Sequence, residues 1–214
     1  LFYDVSAWTF PLAFNLNYEF LKENLSGNDL FDKRSGKISG FSSYGYLIKP
    51  YDYNIPRFIN FLQENGIRLK SSSKIFKIKN SYFDYGTLLI PVVGQSKKPE
   101  KIFELLTEIS EKTGIDVYSL SSGYEDNIGF GSNSFTTIKN PKIGLIVGNG
   151  VRSYDAGEIW HLFDTRYGIP ITKLDVKNLN RTNLTEYSHI ILPSYSGSSI
   201  NTVSYTHLTL PTSR

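Results

Sequence analysis

The chain has 214 residues, 40% of them hydrophobic and 14% aromatic, enough to fill a real core, and its lack of Cys excludes disulfides, thiolate metal sites and a Cys nucleophile. The formal net charge is +3, yet Lys97, Lys98 and Lys101 share a segment with Glu100, Glu104, Glu108 and Glu111. That mixture is a solvated helix face and not a phosphate-binding stripe, so no nucleic-acid partner is expected, and no stretch approaches the roughly 20 apolar residues of a membrane span.

Residues 1–40 mix Phe2, Tyr3, Trp8, Phe10 and Phe14 with polar residues and then become polar, as a docked segment and connector from a preceding domain would. The chain begins at Leu1 and holds no Met, so an internal slice of a longer protein is expected. Residues 41–122 read as a first α/β unit. "YGYLI" is strand-like, and "YNIPRFINFLQENG" sets Ile55, Phe58, Ile59 and Leu62 at helical spacing before Asn65-Gly66 stops it. "GTLLIPVV" is the continuous apolar run of a strand buried on both faces. "KPEKIFELLTEISEKTG" is the clearest helix, with Pro99 in its first turn and Gly114 at its end.

Residues 123–141 are rich in Gly, Ser and Asn and read as a connecting loop. From 142 to 202 the alternation resumes: "KIGLIVGNG" as a buried strand, "SYDAGEIWHLFDTRYG" as a helix, "PITKLDV" and "SHIILPS" as strands. Strands alternating with helices across short loops predict an α/β fold of parallel sheets with helices on both faces. On the helix, Ile159 and Phe163 should face the sheet, so that Phe163→Ala would cost roughly 3 to 5 kcal/mol.

Candidate site residues are few. Gly148, Asn149 and Gly150 form a turn between a buried strand and a helix, where open α/β folds bind ligands, although the third glycine of a dinucleotide site is missing. Glu158, His161 and Asp164 share one helix face, yet a zinc site needs three convergent ligands and an amphipathic helix with a polar rim accounts for them. No Gly-x-Ser-x-Gly elbow or P-loop occurs, so no catalytic residue and no metal ligand is assigned.

The stretch "PKIGLIVGNGVRSYDAGEIWHLFDTRYGIPITKLD", with "IGFGSNSF" before it and "FYDVSAWTFPLAFNL" near the start, resembles the region C-terminal to the catalytic domain of large bacterial zinc carboxypeptidase-family proteins. Its last part resembles the class I glutamine amidotransferase fold, which is flavodoxin-like and would here be truncated. The resemblance implies a secreted or periplasmic metallopeptidase parent, with zinc held by His-x-x-Glu and a distant His. None of those ligands carries over, because His161, His189 and His207 are followed three positions later by Asp164, Leu192 and Leu210. The amidotransferase Cys nucleophile has no counterpart either. The resemblance therefore implies a non-catalytic accessory portion, with no cofactor of its own, whose partners are its upstream peptidase domain and a peptide substrate. The alternative is an independent small-ligand-binding module using the glycine turn. Residues 203–214, "VSYTHLTLPTSR", resemble the conceptual translation of a sequencing-library adapter and are expected to lie outside the fold.

Overall fold

The computed structural model describes residues 14–19, 22, 34–125 and 128–196. Two compact units divide the chain, Leu1–Asp32 and Lys33–Arg214. In the first, residues 14–15 form a turn in which Asn15 takes a left-handed φ of 50°. The aromatic segment before Phe14 and the adapter-like stretch 203–214 lie outside the described residues.

The second unit opens with β1 (Gly45–Ile48), buried along its whole length. Helix α1 (Ile55–Glu64) carries Pro56 in its first turn, where a missing N–H costs nothing, and buries Ile55, Phe58 and Leu62 at helical spacing. Gly66 then takes φ 74°, a left-handed turn that ordinary side chains resist. Strand β2 (Lys70–Ser72), a hairpin of β3 (Phe76–Ile78) and β4 (Ser81–Phe83), and β5 (Leu88–Pro91) follow. Helix α2 (Pro99–Thr113) buries Ile102, Leu105, Leu106 and Ile109 and ends at Gly114, φ 78°. The segment expected as a connecting loop instead supplies most of the next pieces. After β6 (Tyr118–Ser119) come a short hairpin, β7 (Tyr124–Glu125) with β8 (Ile128–Gly129), and then β9 (Phe135–Thr137).

Five of these strands make one sheet in the order β6-β1-β5-β2-β9, and every neighbouring pair is antiparallel. This overturns the expected flavodoxin-like fold of parallel sheets with helices on both faces. The apolar run "GTLLIPVV" does mark β5 as buried on both faces, but burial says nothing of strand direction. One face packs on α1 and α2, with Tyr46, Ile48, Leu88 and Ile90 meeting Phe58, Leu62, Ile102 and Leu106. The other face, Leu47 and Leu89, is covered by hairpins and aromatic residues and not by helices. There Phe76 stacks on Phe83 with centroids 5.3 Å apart, and Phe135 meets Phe76 edge-on at 5.9 Å.

A smaller sheet follows. Strand β10 (Ile143–Val147) leads through helix α3 (Ser153–His161) and a π-helical turn, Leu162–Tyr167, into β11 (Ile171–Asp175). Two 3-10 turns, Val176–Arg181 and Leu184–Glu186, lead to β12 (His189–Ile191). The order is β11-β10-β12 and both pairings are parallel, so the expected parallel alternation holds only for these three strands. Their core is slight: Ile146, Leu174 and Leu179 are buried together. On α3 only Ala156 is buried, and Ile159 and Phe163, expected against the sheet, are half-buried. Among the described residues no helix is long and apolar enough to cross a membrane.

Candidate functional site

Helix α3 separates two cavities. On its outer side Tyr154, Glu158 and His161 form one stripe at helical spacing, continued by Leu162 and Arg166 of the π-helical turn. Tyr53, just before α1, closes the opposite wall, and the groove between them measures about 670 Å³. The wall is braced by its own side chains. Arg166 lies over the Tyr53 ring at 5.1 Å, Tyr53 and Tyr167 have centroids 6.1 Å apart, and Phe163 meets Tyr167 edge-on at 6.0 Å. Asn60 Nδ2 of α1 donates to the Gly168 carbonyl at 2.8 Å, pinning the end of the turn. Burial, and after it the neighbouring Tyr53, raises the Tyr167 hydroxyl above the ordinary tyrosine range.

Glu158 and His161 are both exposed in this groove. Thr165 Oγ1 donates to the His161 carbonyl at 2.6 Å and lies 3.4 Å from its Nδ1, so the ring has at most a weak partner on its own helix. Asp164, on the same face in the sequence reading, does not line the groove. Among the described residues no group of three or more His, Cys, Asp or Glu converges. Two donors on one helical turn do not fit the three-ligand set that zinc chemistry requires.

On the inner side of α3 a second cavity, about 340 Å³, lies against β10 and β11. Gly148 lines it, together with Leu145, Trp160 and Lys173, whose ammonium sits 4.7 Å from the Trp160 ring centroid. Gly148 has φ 103°, and a Cβ there would come within 2.6 Å of Asp175 Oδ1. That carboxylate accepts from the Lys177 N–H at 2.9 Å and caps the first 3-10 turn. Asn149 and Gly150 line neither cavity. The Gly150 carbonyl accepts from Ser196 N at 2.8 Å, and Arg152 N donates to Ser194 O at 2.9 Å. The glycine turn is therefore paired by backbone to the segment after β12, across the point where the strand order reverses.

The structure thus splits the five candidate residues: Glu158 and His161 in the outer groove, Gly148 in the inner cavity, Gly150 in backbone pairing, and Asn149 in the turn between the two glycines, lining neither cavity. Tyr53 and Arg166 were missed in the sequence. Tyr53 lies a hundred residues before α3, and nothing local links it to that helix. Gly157 was missed as well, although a glycine inside a helical pattern is a readable signal. It lines both cavities, and a Cβ built on it would meet no heavy atom within 4 Å.

No family model, curated protein or solved structure matches the chain. The zinc carboxypeptidase likeness rests on the quoted stretches alone.

Proposed function

We propose that this chain is a non-catalytic accessory portion of a secreted zinc carboxypeptidase-like protein, and that it acts by binding a peptide segment in the groove outside α3. Gly157 carries the reading. A glycine inside a helix costs about 0.5 to 1 kcal/mol relative to alanine, and no steric demand requires it here. What its missing side chain leaves is groove. The walls also have the composition of recognition surfaces, where Tyr and Arg are enriched and aromatic faces supply area at small entropic cost. Zinc, the catalytic Glu and the bond-breaking step belong to the parent's peptidase domain in this reading, and no step is assigned to these residues.

The first check is genetic: the reading frame upstream should encode His-x-x-Glu, whereas a short frame with its own start codon would overturn the assignment. The second is kinetic. With the peptidase domain and this chain expressed as one polypeptide, Gly157→Leu and Arg166→Ala should weaken peptide capture several-fold in KM with kcat retained. Unchanged kinetics in both variants would remove the groove from the proposal.

A second reading, a small-ligand module at the glycine turn 148–150, is favoured by one observation. The Asp175 carboxylate stands against Gly148 beside a cavity of about 340 Å³. Its Oδ1 already serves as a helix cap, which leaves Oδ2 as the freer oxygen for a ligand.

A further inference from the structure

The hairpin side of the five-stranded sheet is covered over only part of its extent. Phe76, Phe83 and Phe135 pack over Leu47 and Leu89. Beyond them the same face continues through Pro91 and Val93 on one strand and through Lys70 and Arg68 on the next, because alternate residues share a side. A cavity of about 380 Å³ opens there. Its floor is apolar: Leu89 is 1% exposed and Phe130 7%, while Val93 at the rim is 74% exposed.

Two cationic residues line this cavity, Arg68 and Lys70. The register places Lys70 directly beside Leu89 on one side and Thr137 on the other. Arg68 is held by its backbone, whose N–H donates to Gln95 Oε1 at 3.0 Å and whose carbonyl accepts from Gln95 Nε2 at 2.8 Å. Among the described residues no acidic side chain lines the cavity, and neither Arg68 nor Lys70 makes an ion pair. Elsewhere the cations Arg34, Lys101 and Lys112 have carboxylates at 2.6 to 2.7 Å. Tyr44 supplies an aromatic side wall with a hydroxyl. An apolar floor with two uncompensated cations on one side is complementary to a molecule with an anionic head and an apolar body.

We propose that this cavity binds small organic carboxylates, the carboxylate resting on Arg68 and Lys70 and the apolar body on Leu89 and Phe130. The site is separate from the groove outside α3 and does not depend on the function proposed for it.

The test is a titration of the isotopically labelled 214-residue chain, followed by amide resonances, with 3-phenylpropanoate, its neutral amide and acetate. The acid should shift amides at 68–70, 89–93 and 130–131 saturably, and bind about tenfold tighter than the amide or acetate. Arg68→Gln and Lys70→Gln should each weaken it about tenfold, and Lys101→Gln on α2 should leave it unchanged. Gly131→Trp supplies a steric test, since a Cβ there meets no heavy atom within 4 Å and the indole would fill the cavity mouth. Each variant is checked for an unaltered amide spectrum away from the cavity. Equal binding of acid and amide, shifts confined to other surfaces, or no saturable shift up to about 10 mM would each overturn the proposal.

Discussion

Ser42 shows how much one small residue can organise. Its hydroxyl donates to the Leu120 carbonyl at 2.6 Å and accepts from the N–H groups of Tyr44 and Gly45 at 3.0 and 3.1 Å. Its own N–H donates to the Tyr46 hydroxyl at 2.8 Å. Ser42→Ala leaves buried polar groups without partners and should cost about 1 to 3 kcal/mol in chemical denaturation. Tyr46 itself is fully buried, and burial raises its hydroxyl above the ordinary tyrosine range, with the Ser42 backbone acting the other way. A group whose folded pKa exceeds the unfolded one contributes stability that is complete below the unfolded value and lost as pH rises past it. The denaturation midpoint should therefore hold to about pH 9 and fall above about pH 10. Tyr46→Phe should make that fall shallower without abolishing it, because Tyr51 and Tyr167 are raised as well. Phe163 needs a smaller figure than its sequence suggests. Half-buried and edge-on to Tyr167, it should lose only about 1 to 2 kcal/mol on truncation to Ala.

At the scale of elements, the glycine turn and the cap facing it form a coupled pair. Gly148→Ala should be destabilising by about 1 to 2 kcal/mol from its positive φ alone, and the contact with Asp175 adds to that. Asp175→Ala removes the cap and should cost about 0.5 to 2 kcal/mol. The double variant should be less destabilised than the two singles added together, since removing the carboxylate vacates the space that the new methyl needs. Strict additivity in urea denaturation would show that the turn moves away instead. These same elements show what was legible in the sequence. Helices α1 and α2 were, because Ile55, Phe58 and Leu62, and Ile102, Leu105, Leu106 and Ile109, repeat at helical spacing between clear stop signals. Burial of β5 was legible as well. Its antiparallel pairing was not, because a run of apolar residues reports covered faces and carries no record of chain direction. Some of the residues that cover the second face were hidden in a Gly- and Ser-rich stretch. Phe130 and Phe135 are its informative members, and two aromatics among polar residues have no periodicity to detect. Tyr53 and Arg166, which stack on each other at the candidate groove, meet only through the packing of α1 against the π-helical turn.

For the whole molecule, the two sheets should differ in resistance to opening. The antiparallel sheet has large apolar clusters on both faces, whereas the parallel sheet buries Ile146, Leu174 and Leu179 together on one. Local opening free energy follows buried apolar contact, so hydrogen exchange should be faster at 143–147, 171–175 and 189–191 than at 45–48 and 88–91. Equal protection would mean that the two sheets open as one unit.

The strand order has a further consequence for how the chain is made. Gly45 pairs with Pro91, Tyr46 with Ser119 and Lys70 with Thr137, so β1 and β2 are synthesised long before their partners. Synthesis runs at about 5 to 20 residues per second, and closing such long loops costs entropy that later contacts must offset. For several seconds on the ribosome, β1, with every residue destined for the interior, has no strand to lie against. Chaperone capture of arrested nascent chains should peak after β1 has left the exit tunnel and drop once β5 and β6 have followed it.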